Sequence, residues 1–84
     1  MAVTWTRWPD IEVSNTVRVE GRDVGAAVRG GPHGAAEWWV QIDGEIVASG
    51  REVGPGAARA RAEAAMAKAE SDLSRSWRDA PAGG

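Results

Sequence analysis

Cysteine is absent from this 84-residue chain, and histidine occurs once, at His33. Without thiols there are no disulfides to hold a small fold together and no thiolate metal site. A single histidine without cysteine also excludes a Cys–His nucleophile pair and a multi-histidine metal centre built from one chain. Phenylalanine and tyrosine are missing too, so every aromatic ring belongs to one of five tryptophans. No apolar run approaches the ~20 residues that a membrane-spanning helix needs. The opening residues, "MAVTWTRWPD", lack the basic segment and following apolar run of a signal peptide. No phosphate-cradling glycine motif occurs. The carboxylates are scattered, with no pair spaced as a catalytic dyad. These absences predict a non-enzymatic, cytoplasmic chain that uses neither cofactor nor metal.

Charge excludes a second class. The formal net charge is −2, distributed as four Arg against seven acids in residues 1–50 and six Lys and Arg against five acids in residues 51–84. Neither half makes the basic patch that nucleic-acid binding usually needs. The chain is 43% hydrophobic, which is ordinary for a folded domain, but much of that is alanine and buries little area. A core of this size is marginal by itself. Either the tryptophans carry it or self-association supplies the missing burial.

What is present reads as strands followed by one helix. "VTWTRW", residues 3–8, alternates and predicts a first strand, broken by Pro9-Asp10. In "IEVSNTVRVE", Ile11, Val13, Val17 and Val19 occupy odd positions against polar even ones. This is one long strand, or two short ones joined at Ser14-Asn15. Gly21-Arg22 is expected to turn the chain into "DVGAAVRG", with Val24, Ala26 and Val28 in step. "GGPHGAA" clusters Gly and Pro into a loop. From Gly54-Pro55, with proline suited to a first helical turn, Ala58, Ala62, Met66, Ala69, Leu73 and Trp77 recur at spacings of three or four. Arg59 and Glu63 fall off that stripe as an i, i+4 pair. The predicted fold is α+β: an antiparallel sheet of four to five strands with one long C-terminal helix packed on one face. It forms a single two-layer domain over residues 1–79, with a disordered tail over 80–84.

"EWWVQIDGEIVASG", residues 37–50, decides which side chains share a face. Successive strand residues point to opposite faces, so Trp38 and Trp39 cannot both enter one core. A two-residue turn at Asp43-Gly44 would group Trp38, Val40 and Ile42 with Glu45 and Val47. A three-residue loop, Ile42 to Gly44, would group Trp38, Val40, Ile46 and Ala48, leaving Trp39, Gln41, Glu45, Val47 and Ser49 opposite. The second separates apolar from polar more cleanly and is preferred. Trp38 and Trp77 are then core, and Trp5 or Trp8 pairs across strands with Trp39 on the face that the helix leaves open. Trp39, Trp8, Gln41 and Val47 are the expected partner-binding residues, because exposed tryptophan is enriched at interface hot spots and large apolar patches seldom stay idle. A second candidate lies at the helix start, where free N–H groups with Arg51, Arg59 and Arg61 nearby, and His33 in the preceding loop, offer anion or nucleic-acid contacts.

From Gly31 onward, "GPHG", "EWWVQI", "DG", "EIVASG" and "ARARAEAAMA" resemble, in order, the loop, strand, turn, strand and helix in the C-terminal part of a double-stranded-RNA-binding domain. The resemblance covers residues 31–70 and implies nucleic-acid contact by the His33 loop and the helix start. The family's lysine cluster is replaced here by Pro55, Gly56, Ala57 and Ala58, and its first helix by strands, which removes the dominant cationic contribution. "WWVQIDGEIVASG" with the helix after it also looks like the YegP-like strand–Gly–strand–helix modules of small bacterial and phage proteins. The expectation is therefore a small non-catalytic interaction protein, such as a phage-encoded or accessory regulator, that occludes a partner protein with its open sheet face. It is expected to form a homodimer without contacting membrane. A nucleic-acid module using the helix start and His33 is the alternative, and a small ligand or nucleotide held at a dimer interface is the third reading.

Overall fold

The computed structural model describes residues 3–78, apart from the side chains of residues 76–78. The Trp77 side chain, read above as core, and the expected tail therefore lie outside the described residues. The chain runs β1 (Trp5–Arg7), β2 (Glu12–Ser14), β3 (Val17–Val19), β4 (Arg22–Gly30), β5 (Ala35–Ile42), β6 (Glu45–Val53) and α1 (Pro55–Arg78). All strand pairings are antiparallel, in the order β1-β2-β4-β5-β6, with β3 also on β4. One helix lies across this sheet, so the domain is α+β, as the order of elements predicts. No helix among the described residues is long and apolar enough to cross a membrane.

β2 and β3 behave as one interrupted strand along the same edge of β4. β2 pairs with Ala27 and Val28, and β3 with Arg22–Val24. The break is at Asn15-Thr16, because Asn15 turns toward the N-terminal segment. Its N–H donates to the Thr4 carbonyl at 2.8 Å, and its Oδ1 accepts from the Thr4 N–H at 2.9 Å. The β4 amide facing the gap, that of Ala26, donates to Ser14 Oγ at 2.8 Å. A side chain thus satisfies a backbone donor where the ladder is lost.

Two turns differ from the sequence expectation, and in the same way. The chain reverses at Glu20-Gly21 rather than Gly21-Arg22, with Val19 opposite Arg22. It reverses again at Asp43-Gly44 alone, with Ile42 opposite Glu45. Both central residues have positive φ in each case: 51° and 76° in the first, 52° and 85° in the second. That is the two-residue hairpin geometry which matches strand twist and calls for glycine second. The preferred three-residue loop is therefore wrong.

A bulge then rescues half of its grouping. Val40 and Gln41 pair with Ala48 and Ile46, so Val47 is an extra residue on β6. Beyond it Ala48 and Gly50 face the helix opposite Val40 and Trp38. Before it Ile46 stands opposite Gln41, on the other face. Ile46 is thus not a companion of Trp38.

The buried cluster consists of Val24, Ala26 and Val28 of β4, Ala36 and Val40 of β5, and Ala58, Ala62 and Met66 of α1. Most of these are small, which lets helix and sheet lie close but buries limited area. None of the tryptophans with described side chains is fully buried. Trp5 and Trp38 pack at the margin of the cluster, and the Trp38 indole lies over Gly50, where a Cβ would come within 2.8 Å of the ring. Its Nε1 is buried without a hydrogen-bond partner among the described residues.

Two polar contacts tie the helix to the N-terminal strands. Trp5 Nε1 donates to Glu63 Oε2 at 2.9 Å, and Arg59 Nη1 donates to both Glu12 oxygens at 3.0 and 2.7 Å. Trp5 therefore sits on the helix side and does not join Trp39. Arg59 and Glu63, which could have paired along the helix, each reach to a different strand instead.

Candidate functional site

Strand pairing places Thr6, Val13, Ala27, Trp39 and Ser49 in one row across the face turned away from the helix. Gly25, Gln41 and Ile46 form the next row, and Arg29, Glu37 and Arg51 the row on the other side. Ala27 is buried at 5% exposure although no second layer of the described residues covers this face. Its row neighbours Val13 and Trp39 shield it, and Trp39 itself is half-buried. Ile46 is 56% exposed. With Trp39, Glu37, Ser49 and Arg51 it lines a shallow hollow of about 450 Å³. The open face is therefore an apolar centre, Trp39 and Ile46, rimmed by charge: Arg51 Nη2 meets Glu37 Oε1 at 2.9 Å, and Arg18 Nη1 meets Asp23 Oδ1 at 3.0 Å. Exposed pairs of this kind contribute little stability and chiefly set the polarity of a rim.

The β5–β6 turn is clasped to the start of β4. Asp43 N–H donates to the Asp23 carbonyl at 2.8 Å, and the Asp23 N–H returns a bond to Asp43 Oδ1 at 2.9 Å. Arg22 Nε donates to the other carboxylate oxygen. The backbone N–H of Asp23, and then the Arg22 guanidinium, hold the Asp43 carboxyl below its ordinary value of 3.8.

The four expected partner-binding residues do not lie together. Trp39 and Gln41 share the open face. Val47, the bulge residue, lines a groove with Ile42, Ala65 and Leu73 on the helix side of the β6 edge, so it leaves the open face and Ile46 takes its place. Trp8 lies beyond β1 in the turn before β2, 56% exposed, in a cleft with Pro55 and Arg59 at the helix start. The expected pairing of Trp5 or Trp8 with Trp39 is absent. Pro9-Asp10 carries Trp8 off the sheet, and the parity of β1 turns Trp5 toward Glu63. Ile46 comes to this face because the turn is the two-residue Asp43-Gly44, which sets it opposite Gln41, rather than the preferred three-residue loop.

At the helix start, the His33 loop and α1 are brought side by side: the Gly54 N–H donates to the Gly34 carbonyl at 2.8 Å. His33 is exposed, with φ of 60°. The three arginines nearby are each engaged by a carboxylate, Arg51 by Glu37, Arg59 by Glu12 and Arg61 by Glu52, at 2.9, 2.7 and 3.8 Å. Pairing spends most of the field that these cations would offer a phosphate backbone. Comparison with family models, curated proteins and solved structures finds no match to this chain.

Proposed function

We infer that this is a small non-catalytic interaction protein that binds and occludes a partner protein through its uncovered sheet face. One observation carries the reading. A single helix covers one face of the sheet, and the other presents Trp39 and Ile46 at the centre of a charged rim. An aromatic anchor in a hollow beside an exposed aliphatic side chain, ringed by polar groups, is the anatomy of a protein interface. A second copy of the chain is the first partner to expect, because a twofold contact lets one patch serve both sides and adds burial to an alanine-rich core. The engagement of Arg51, Arg59 and Arg61 by carboxylates favours this reading over a nucleic-acid module.

The test is position-specific photo-crosslinking in the native host. A benzophenone side chain at Ile46 is expected to capture a discrete protein adduct, and the same probe at Ala60 on the exposed helix surface is not. Equal, diffuse yields from both positions would remove the reading.

A further inference from the structure

We propose that the cleft holding Trp8 is a second, separate site, built for a mononucleotide: a planar base carrying phosphate. The turn from Trp8 to Ile11 is closed by the Trp8 N–H donating to the Ile11 carbonyl at 2.7 Å. Pairing between β2 and β4 reaches no further than Glu12 opposite Val28. The last two residues of β4, Arg29 and Gly30, therefore have no strand on that side. The space between the turn, the end of β4 and the first turn of α1 is a cavity of about 720 Å³, within the range of roughly 300–1,000 Å³ typical of small-molecule sites.

The lining is chemically selective. Trp8 is the most exposed described indole and offers a flat face on which a base can stack. Arg7 and Arg29 line the same cavity, and among the described residues neither makes an ion pair, unlike Arg18, Arg22, Arg51, Arg59 and Arg61. Their planar guanidinium forks suit phosphate oxygens. Asp10, also in the wall and unpaired among the described residues, can accept from a ribose hydroxyl or an exocyclic amine. The Arg59–Glu12 pair closes one side as an internally neutral unit. Concavity and a single stacking ring fit a small ligand. The flatter face around Trp39 and Ile46 fits a protein.

The test is a titration of the full chain with AMP, GMP, CMP and UMP, followed by tryptophan fluorescence and calorimetry, with adenosine and inorganic phosphate as controls. At least one mononucleotide is expected to bind saturably and quench fluorescence, with its nucleoside and phosphate alone each at least about tenfold weaker, as loss of a charge-assisted contact implies. Trp8→Ala, and Arg7→Ala with Arg29→Ala, should each weaken binding about tenfold or more. Trp8→Phe should retain it within a few-fold, and Trp39→Glu should leave it unchanged. Absence of saturable binding by any of the four would overturn the proposal. So would binding that survives both Trp8→Ala and the double arginine variant.

Discussion

Replacing Gly50 by alanine isolates the contact that fixes Trp38 against the sheet. The added Cβ would stand 2.8 Å from Cε2, Cζ2 and Nε1 of Trp38, whereas ordinary contact begins at 3.4 Å, so the ring must retreat by at least about 0.6 Å. The indole packs on the core cluster and cannot swing freely toward the helix. Overpacking of this kind costs about 1–3 kcal/mol. Against it stands the stabilisation of roughly 0.5–1 kcal/mol that alanine gives over glycine by restricting the unfolded chain. The net expectation is a loss of about 1 kcal/mol, or about 4–8 °C in Tm for a domain of this size. Urea unfolding at fixed protein concentration should be run on the wild type, Gly50→Ala, Trp38→Leu and the double variant. With Trp38 shortened, the alanine has room, and Gly50→Ala should become neutral or stabilising. The coupling between the two positions should therefore exceed about 0.5 kcal/mol. An equal effect of Gly50→Ala in both backgrounds would refute the close approach, and with it the register set by the Val47 bulge.

Trp38→Ala should cost about 3–5 kcal/mol in the same assay, as large aromatic truncations at a core do, and Trp39→Ala distinctly less at concentrations that keep the chain monomeric. Equal losses would contradict the assignment of the two rings to opposite faces. Arg59→Ala strands a Glu12 side chain that is only 18% exposed and should cost about 1–3 kcal/mol, whereas Arg51→Ala, which breaks an exposed pair, should cost less than about 1 kcal/mol. The Asp43 carboxyl is held below its ordinary value when folded, so its charge contributes stability above that value and loses it as pH falls through the depressed one. Asp43→Asn keeps a turn-compatible side chain but cannot titrate. Its Tm should therefore fall less than that of the wild type between about pH 5 and about pH 3, and parallel curves would show that the clasp to Arg22 and Asp23 is not formed.

Much of this arrangement was legible because strand and helix periods are geometric. The parity of two separates Trp38 from Trp39 whatever the turn, and the spacing of Ala58, Ala62 and Met66 identifies the buried helix stripe before any contact is known. The hairpin registers were harder. Glu-Gly and Asp-Gly form the same kind of turn here, and the first was displaced by one residue because glutamate is a less familiar turn former than aspartate. No local residue type announces a bulge at Val47. It arises because β6 must keep both a two-residue turn and an apolar inner face, a constraint shared between two strands. Long-range polar contacts were invisible for a related reason. Arg59 and Glu63 look like a helical pair, yet their partners lie 47 and 58 residues away in sequence. Trp8 departs from the alternation because β1 ends at Arg7 and Pro9 takes the chain off the sheet.

The central claim is that the open face around Trp39 and Ile46 is an interface. Sedimentation equilibrium over a wide range of concentration tests it most directly, with the wild type compared against Trp39→Glu. The expected result is a reversible monomer–dimer equilibrium for the wild type that Trp39→Glu shifts to monomer, with a Tm that no longer depends on protein concentration. A wild type that dimerises equally well with glutamate at position 39 would contradict the claim. A wild type that stays monomeric at the highest concentration, with Trp39 emitting as a water-exposed indole, would exclude self-pairing and leave the face to a different protein.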